Sequence, residues 1–174
     1  MLDIDRTCRT LGVRFEEFMP PVASFVFPKL VRAYAYPTLK ILSVNPDVLP
    51  ASTEWVRLVV HELAHIVKQK ARMSSQWDEW DAELTAWICL AGVGGYEDQD
   101  MAFRQYLLAW CWDGDTTRLE SCRSDAVTIL AAAGLAEPDA IASAGIERVR
   151  QAWCGPSVQT LAPKALVVPI HLGA

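Results

Sequence analysis

The chain has 174 residues, of which 52% are hydrophobic and seven are tryptophan, and its net charge is −5. This length fits a single domain with a full core, and the apolar content excludes an intrinsically disordered chain. No apolar run is long enough to span a bilayer, the first six residues lack the pattern of a signal peptide, and no basic cluster favours nucleic-acid binding.

These properties predict one domain over residues 1–174, with a C-terminal tail from about residue 156 and a cytoplasmic location. We expect no membrane association, and no nucleic-acid binding by this chain alone. The five cysteines are widely spaced and form no CxxC motif, which argues against a zinc knuckle or a thioredoxin-like redox pair. The sequence leaves the oligomeric state open.

The first quarter of the chain predicts a helix followed by short strands. Residues 3–18 predict a helix that is interrupted or ends near Gly12. Residues 23–27 and 34–44 are rich in aromatic and β-branched residues, which indicates two or three short strands. Residues 40–44 form either a strand that pairs with an extended peptide substrate or an ordinary sheet strand.

An HExxH motif at residues 61–65 lies within a helix predicted over residues 53–72. Because residues four apart share one face of a helix, His61 and His65 can direct two imidazoles at one metal ion. Glu62 is turned by about 100° and can reach a water on that ion. This arrangement is typical of zinc hydrolases, in which a carboxylate takes a proton from the activated water.

The surroundings of the motif support a metal site over a chance match. Ser52 or Thr53 can cap the start of the helix, and no Gly or Pro follows up to residue 72. The apolar residues that recur at helical spacing are Val56, Val59, Val60, Leu63 and Val67. The two histidines lie roughly opposite this stripe, whereas histidines that merely fill a core would lie within it.

A zinc site of this kind needs a third protein ligand, and residues 77–90, also predicted as a helix, contain candidates. Glu83 lies in a stripe of tryptophan, alanine and leucine, where a carboxylate is costly to bury without a partner. The alternative for Glu83 is a surface carboxylate beside an aromatic patch. Glu79, one turn earlier, is the reserve candidate, and Asp78 and Asp81 fall on other faces, where we expect them to be solvated.

HExxH followed by a glutamate on the next helix resembles the gluzincin pattern. Residues 82–89, AELTAWIC, resemble the ligand helix of the metallopeptidase domain of ArdC-type antirestriction proteins. Their Glu-x-x-Ala spacing is similar to that of ImmA/IrrE-type metallopeptidases. The resemblance covers roughly residues 33–133. It implies that His61, His65 and Glu83 bind Zn²⁺ and that Glu62 is the general base.

Three further helices are predicted over residues 99–112, 116–133 and 138–152. Together with the resemblance, they predict an α+β fold: a mainly helical, zincin-like domain with a small sheet of short strands before the HExxH helix. If the site hydrolyses a peptide bond, the negative charge that develops on the carbonyl oxygen needs a hydrogen-bond donor, and the candidates are Tyr34, Tyr36 and Tyr106.

The sequence therefore predicts a zinc-dependent metallopeptidase that hydrolyses a peptide bond in a protein, such as a regulator in a mobile-element or phage-related setting. A second hypothesis is a zinc-binding antirestriction or protein-interaction module with little or no hydrolytic activity. A third is a helical domain with a chance HExxH motif.

Overall fold

The computed structural model describes residues 2–16, 32–68, 76–109, 114–115 and 117–154. The strand predicted over residues 23–27 and the tail from about residue 156 lie outside them. The elements are helix α1 (Ile4–Leu11), strands β1 (Arg14–Phe15), β2 (Ala33–Tyr36) and β3 (Ile41–Val44), and helices α2 (Thr53–Val67), α3 (Gln76–Val93), α4 (Asp100–Ala109), α5 (Thr117–Ala132) and α6 (Pro138–Cys154). The predicted α+β, mainly helical class is confirmed, as is the small sheet before the HExxH helix.

Helix α1 ends at Leu11, which agrees with one of the two alternatives that the sequence left open. The Asp3 side chain caps its start by accepting from the backbone N–H of Arg6 at 2.9 Å. Gly12 ends the helix with a φ of +70°, a left-handed conformation that glycine adopts without steric cost. The predicted helix end near Gly12 is confirmed, because the chain turns there and enters β1; the alternative, a helix that is only interrupted at Gly12, is wrong for residues 14 and 15.

The three strands form one mixed sheet in the order β1-β3-β2. Strand β1 runs parallel to β3, with Arg14 opposite Ile41, and β2 runs antiparallel to β3. Because β3 is the central strand, the backbone at Ile41 and Leu42 already pairs on both sides. Of the two alternatives for residues 40–44, this topology favours the ordinary sheet strand over a strand that binds substrate.

Helix α3 lies in the middle of the helical layer and packs against α2, α4, α5 and α6. Every side chain from Glu79 to Leu90 is buried, as expected of a helix surrounded by protein. Any carboxylate on this stretch therefore needs a partner of its own. Among the helices that the structure describes, none is long and apolar enough to cross a membrane.

An ion network on one face of α3 joins it to two neighbouring helices. Asp81 accepts from Lys68, just after α2, and from Arg118 of α5, whose Nε lies 2.6 Å from Asp81 Oδ1. The guanidinium of Arg118 also lies 5.4 Å from the ring centre of Trp80. The prediction that Asp81 is solvated is wrong, because α5 covers this face of α3.

Helices α3 and α6 approach closely through two glycines. A Cβ atom at Gly145 would overlap the carbonyl oxygen of Ile88, and one at Gly92 would overlap the carbonyl oxygen of Ile141. These contacts involve backbone atoms, which cannot move aside as a flexible side chain can. The glycines therefore allow the backbones of the two helices to touch.

We predict that Gly145→Ala lowers the free energy of unfolding by about 1–3 kcal/mol, the usual cost of overpacking. A decrease in the free energy of unfolding is informative because Gly→Ala within a free helix normally increases it. Urea unfolding checks it, with Ala144→Ser at the exposed neighbouring position as the control. Unchanged or increased stability of Gly145→Ala would contradict the close packing of α3 on α6.

Candidate metal centre

The HExxH residues lie in the second half of α2, which starts where the sequence predicted. Ser52 is the N-cap, and its side chain accepts from the backbone N–H of Trp55 at 3.1 Å. The apolar stripe of α2 is buried except for Val67, which is half-buried, and the two histidines on the opposite face are buried as well because α3 packs on them. His61 and His65 are accordingly only 5% and 2% exposed.

His61, His65 and Glu79 form a His-His-Glu group that could hold a metal ion. The two histidine Nε2 atoms lie 3.1 Å apart, and Glu79 Oε2 lies 3.4 Å from His61 Nε2. Glu79 Oε1 lies 3.7 Å from His65 Nε2. Donors about 2.0–2.1 Å from a tetrahedral zinc ion lie about 3.3 Å from one another, which is close to the distances from His61 Nε2 to His65 Nε2 and to Glu79 Oε2.

Glu83 lies on the other side of the His61 ring. Its Oε2 accepts from His61 Nδ1 at 2.6 Å, and its Oε1 accepts from Arg57 Nη1 at 2.7 Å. In this geometry Glu79, the reserve candidate, faces the Nε2 atoms of both histidines, and Glu83 faces Nδ1 of His61. A carboxylate that accepts from the second nitrogen of a ligand histidine is a common arrangement, because it fixes the tautomer and the orientation of the ring.

Glu62 follows His61 on α2, and its carboxylate is buried close enough to Glu79 and Glu83 for their charges to affect it. Its Oε2 is fully buried and has no hydrogen-bond partner among the described residues. Burial raises the pKa of Glu62 to about 7, and the negative charges of Glu79 and Glu83 contribute to the increase, while His61 opposes it. A buried unsatisfied oxygen is costly, so this position fits a carboxylate that faces a ligand or a water on a bound ion.

The charges of the site also fit a cation. In the metal-free protein, burial alone would lower the pKa of His61, but hydrogen bonds with Glu79 and Glu83 outweigh it and raise the pKa to about 10. Burial would raise the pKa of Glu79, but its contacts with His61, His65 and Tyr106 lower it to about 2. A bound divalent ion would supply the positive charge that a proton on His61 supplies without it.

Tyr106 of α4 completes the group. Its hydroxyl donates to Glu79 Oε2 at 2.5 Å, and its ring packs edge-on against His61, with ring centres 5.4 Å apart. Burial raises the pKa of Tyr106 well above its usual range, and the nearby carboxylates add to this effect. Of the three tyrosines proposed from the sequence, Tyr106 is the one that contacts the ligand group. Tyr34 and Tyr36 pack against each other, with their ring centres 5.4 Å apart.

Arg57 lies on the histidine face of α2 and was not among the site residues predicted from the sequence. Its contact with Glu83 is the functional feature that the sequence analysis missed. The signal was present, because Arg57 lies four residues before His61 and so shares its face of the helix. A buried glutamate on α3 also requires a cation or a hydrogen-bond donor nearby.

Comparisons of the chain with protein-family models, with curated proteins and with solved structures find no match. The similarity to gluzincins, and to ArdC-type and ImmA/IrrE-type proteins in particular, therefore stays a prediction from the motifs.

We predict that Glu79→Ala removes most of the zinc from protein purified without chelators, because it deletes a ligand. Glu83→Ala leaves the ligands in place and weakens zinc binding by about 10–100-fold, as expected for a residue that orients a ligand histidine. Metal analysis and competition with a chelator measure both effects. Glu54→Ala, a more exposed α2 carboxylate paired with Arg32, is the control. Full zinc in Glu79→Ala together with loss in Glu83→Ala would return Glu83 to the ligand set.

Proposed function

We propose that this protein is a zinc-dependent metallopeptidase that hydrolyses a peptide bond in a protein substrate. The observation that supports it best is the buried group of His61, His65 and Glu79, with the unpartnered Oε2 of Glu62 beside it. A purely structural zinc site is usually closed by four ligands and has no use for a free carboxylate at this place.

Zinc is the metal that suits this donor set. Two imidazoles and one carboxylate are the ligands of several catalytic zinc sites, whereas calcium and magnesium prefer oxygen donors. When bound, zinc supplies Lewis acidity, which polarises a carbonyl group and makes a water molecule more acidic. His61, His65 and Glu79 would hold it.

In this proposal Glu62 is the general base. Its free oxygen accepts the proton of the attacking water and passes it to the nitrogen that leaves as the peptide bond breaks. Tyr106 is the candidate donor to the negative charge that develops on the carbonyl oxygen, because its hydroxyl lies at the ligand group. Its one proton would have to turn from Glu79 Oε2 to that oxygen. Glu83 keeps the His61 ring in place by accepting its Nδ1–H.

A second candidate is a zinc-binding antirestriction or protein-interaction module with little or no hydrolytic activity. Deep burial of the site favours it: His61, Glu62, His65 and Glu79 are all at most 5% exposed, and a peptide must reach them to be cleaved. Metal occupancy without cleavage would support this candidate.

For the proposed peptidase, a regulator in a mobile-element or phage-related setting stays the predicted substrate class. The cytoplasm stays the predicted location, and fractionation of cells that express the chain tests it.

We predict that Glu62→Gln lowers peptide hydrolysis by at least about 100-fold and leaves the zinc content unchanged, because it removes the base and no ligand. The assay is digestion of a proteome-derived peptide library, read by mass spectrometry, with the zinc-loaded wild type and with wild type stripped by a chelator as controls. Zinc-loaded wild type that cleaves nothing would reject the peptidase proposal in favour of the second candidate. Equal cleavage by Glu62→Gln would reject the role of Glu62.

We predict that Tyr106→Phe lowers the turnover of any peptide found in that assay by about 10²–10³-fold, the usual effect of removing one oxyanion donor. Zinc content is measured in the same samples, because Tyr106 also donates to Glu79. Tyr34→Phe is the matched control. A larger loss of turnover in Tyr34→Phe than in Tyr106→Phe would contradict the role of Tyr106 and favour Tyr34 as the donor.

A further inference from the structure

Arg57 lies on α2 one turn before His61, and its side chain is only 11% exposed. Its Nη1 donates to Glu83 Oε1 at 2.7 Å, and its guanidinium carbon lies 5.5 Å from the ring centre of Phe103. The Nε atom is buried without a hydrogen-bond partner among the described residues. A buried arginine in this setting is costly, so its contact with Glu83 needs an explanation beyond surface electrostatics.

Glu83 divides its two oxygens between two partners. Oε1 accepts from Arg57, and Oε2 accepts from His61 Nδ1 at 2.6 Å. The side chain of Glu83 is fully buried, so water cannot replace either partner. Glu83 could turn toward the Nε2 side of the His61 ring only by giving up the charge-assisted hydrogen bond from Arg57.

We propose that Arg57 is a positioning residue for the metal centre. It holds Glu83 against His61 Nδ1, which directs His61 Nε2 toward the ion and keeps Glu83 out of the ligand set. Glu79 and Glu83 are one turn apart on the same face of α3, and Arg57 is what gives them different roles. The inference rests on the metal site of the proposed function and adds the residue that orients it.

The direction of the change in zinc affinity distinguishes a positioning role of Arg57 from a purely electrostatic effect of its charge. The positive charge of Arg57 repels a cation, so removing that charge alone would strengthen zinc binding. A loss of zinc affinity when Arg57 is removed is therefore opposite to the effect of its charge on the ion, and the Nδ1–H signal of His61 reports whether the contact of Glu83 with the ring has changed. Partners of this kind usually change metal affinity by about 10–100-fold.

The test compares Arg57→Met, Arg57→Gln and Arg57→Lys with Arg118→Met. The control is closely matched, because Arg118 also pairs with a carboxylate on α3 at 2.6 Å and lies 5.4 Å over an aromatic ring, but its partner is Asp81. Zinc dissociation constants come from competition with a chelator. The His61 Nδ1–H signal is followed by nuclear magnetic resonance of the zinc-loaded protein, where three histidines make assignment direct.

We expect Arg57→Met to bind zinc at least about tenfold more weakly than wild type and to lose the slowly exchanging Nδ1–H signal of His61. Arg57→Lys, which keeps the charge and a donor, recovers most of the affinity. Arg118→Met lowers the midpoint of unfolding and leaves zinc affinity and the Nδ1–H signal unchanged. If Arg57→Met does not fold, Arg57→Gln replaces it, with weaker zinc binding than Arg57→Lys as the expected result.

Zinc binding by Arg57→Met, or by Arg57→Gln in its place, that equals or exceeds that of wild type would overturn the proposal, as would an unchanged Nδ1–H signal. Arg57 would then only offset the buried charge of Glu83. A wild-type protein that binds no zinc would reject the proposed metal site and this inference together, whereas failure of the inference alone leaves zinc on the wild type.

Discussion

The imidazole of His61 is the group on which the rest of the site depends. Its Nδ1 donates to Glu83, and its Nε2 lies within 3.4 Å of both His65 Nε2 and Glu79 Oε2. A change in the orientation of this one ring would alter its contacts with Glu83, His65 and Glu79 together. Glu83 is fixed in turn by Arg57, so the position of the ring is determined by residues on both α2 and α3.

The packing of α2 on α3 buries the charged side chains of the site. Three glutamates, Glu62, Glu79 and Glu83, are buried where the two helices meet. Buried carboxylates are stable only with cations or hydrogen-bond donors, and Arg57 supplies part of what they need. A divalent ion between the two histidines and Glu79 would supply the rest. The core of the protein thus contains a group of side chains that could hold a metal ion.

The α2 half of the site was predictable from the sequence, because it depends on local geometry alone. Helical spacing brings His61 and His65 together, and the cap at Ser52 fixes where α2 begins. The class of fold followed from the same periodicity. The choice between Glu79 and Glu83 could not be made, because both lie on one face of α3, and only the offset between two packed helices decides which reaches the Nε2 atoms.

Other features depend on contacts between distant parts of the chain, and these were predicted poorly. Asp81 is buried because α5 covers it, a fact that the periodicity of α3 alone does not contain. Strand β1 has two residues and forms by pairing with β3, more than 25 positions later, so its local sequence gave no signal beyond the helix end at Gly12. Contacts with distant parts of the chain, rather than local residue preference, determine the burial of Asp81 and the formation of β1.

The most direct measurement is diffraction at the zinc absorption edge from crystals of the zinc-loaded protein. The account predicts one anomalous peak per chain, within bonding distance of His61 Nε2, His65 Nε2 and Glu79, with Glu83 on the far side of the His61 ring. A peak bound by Glu83 instead of Glu79, or no peak between the two histidines, would contradict it.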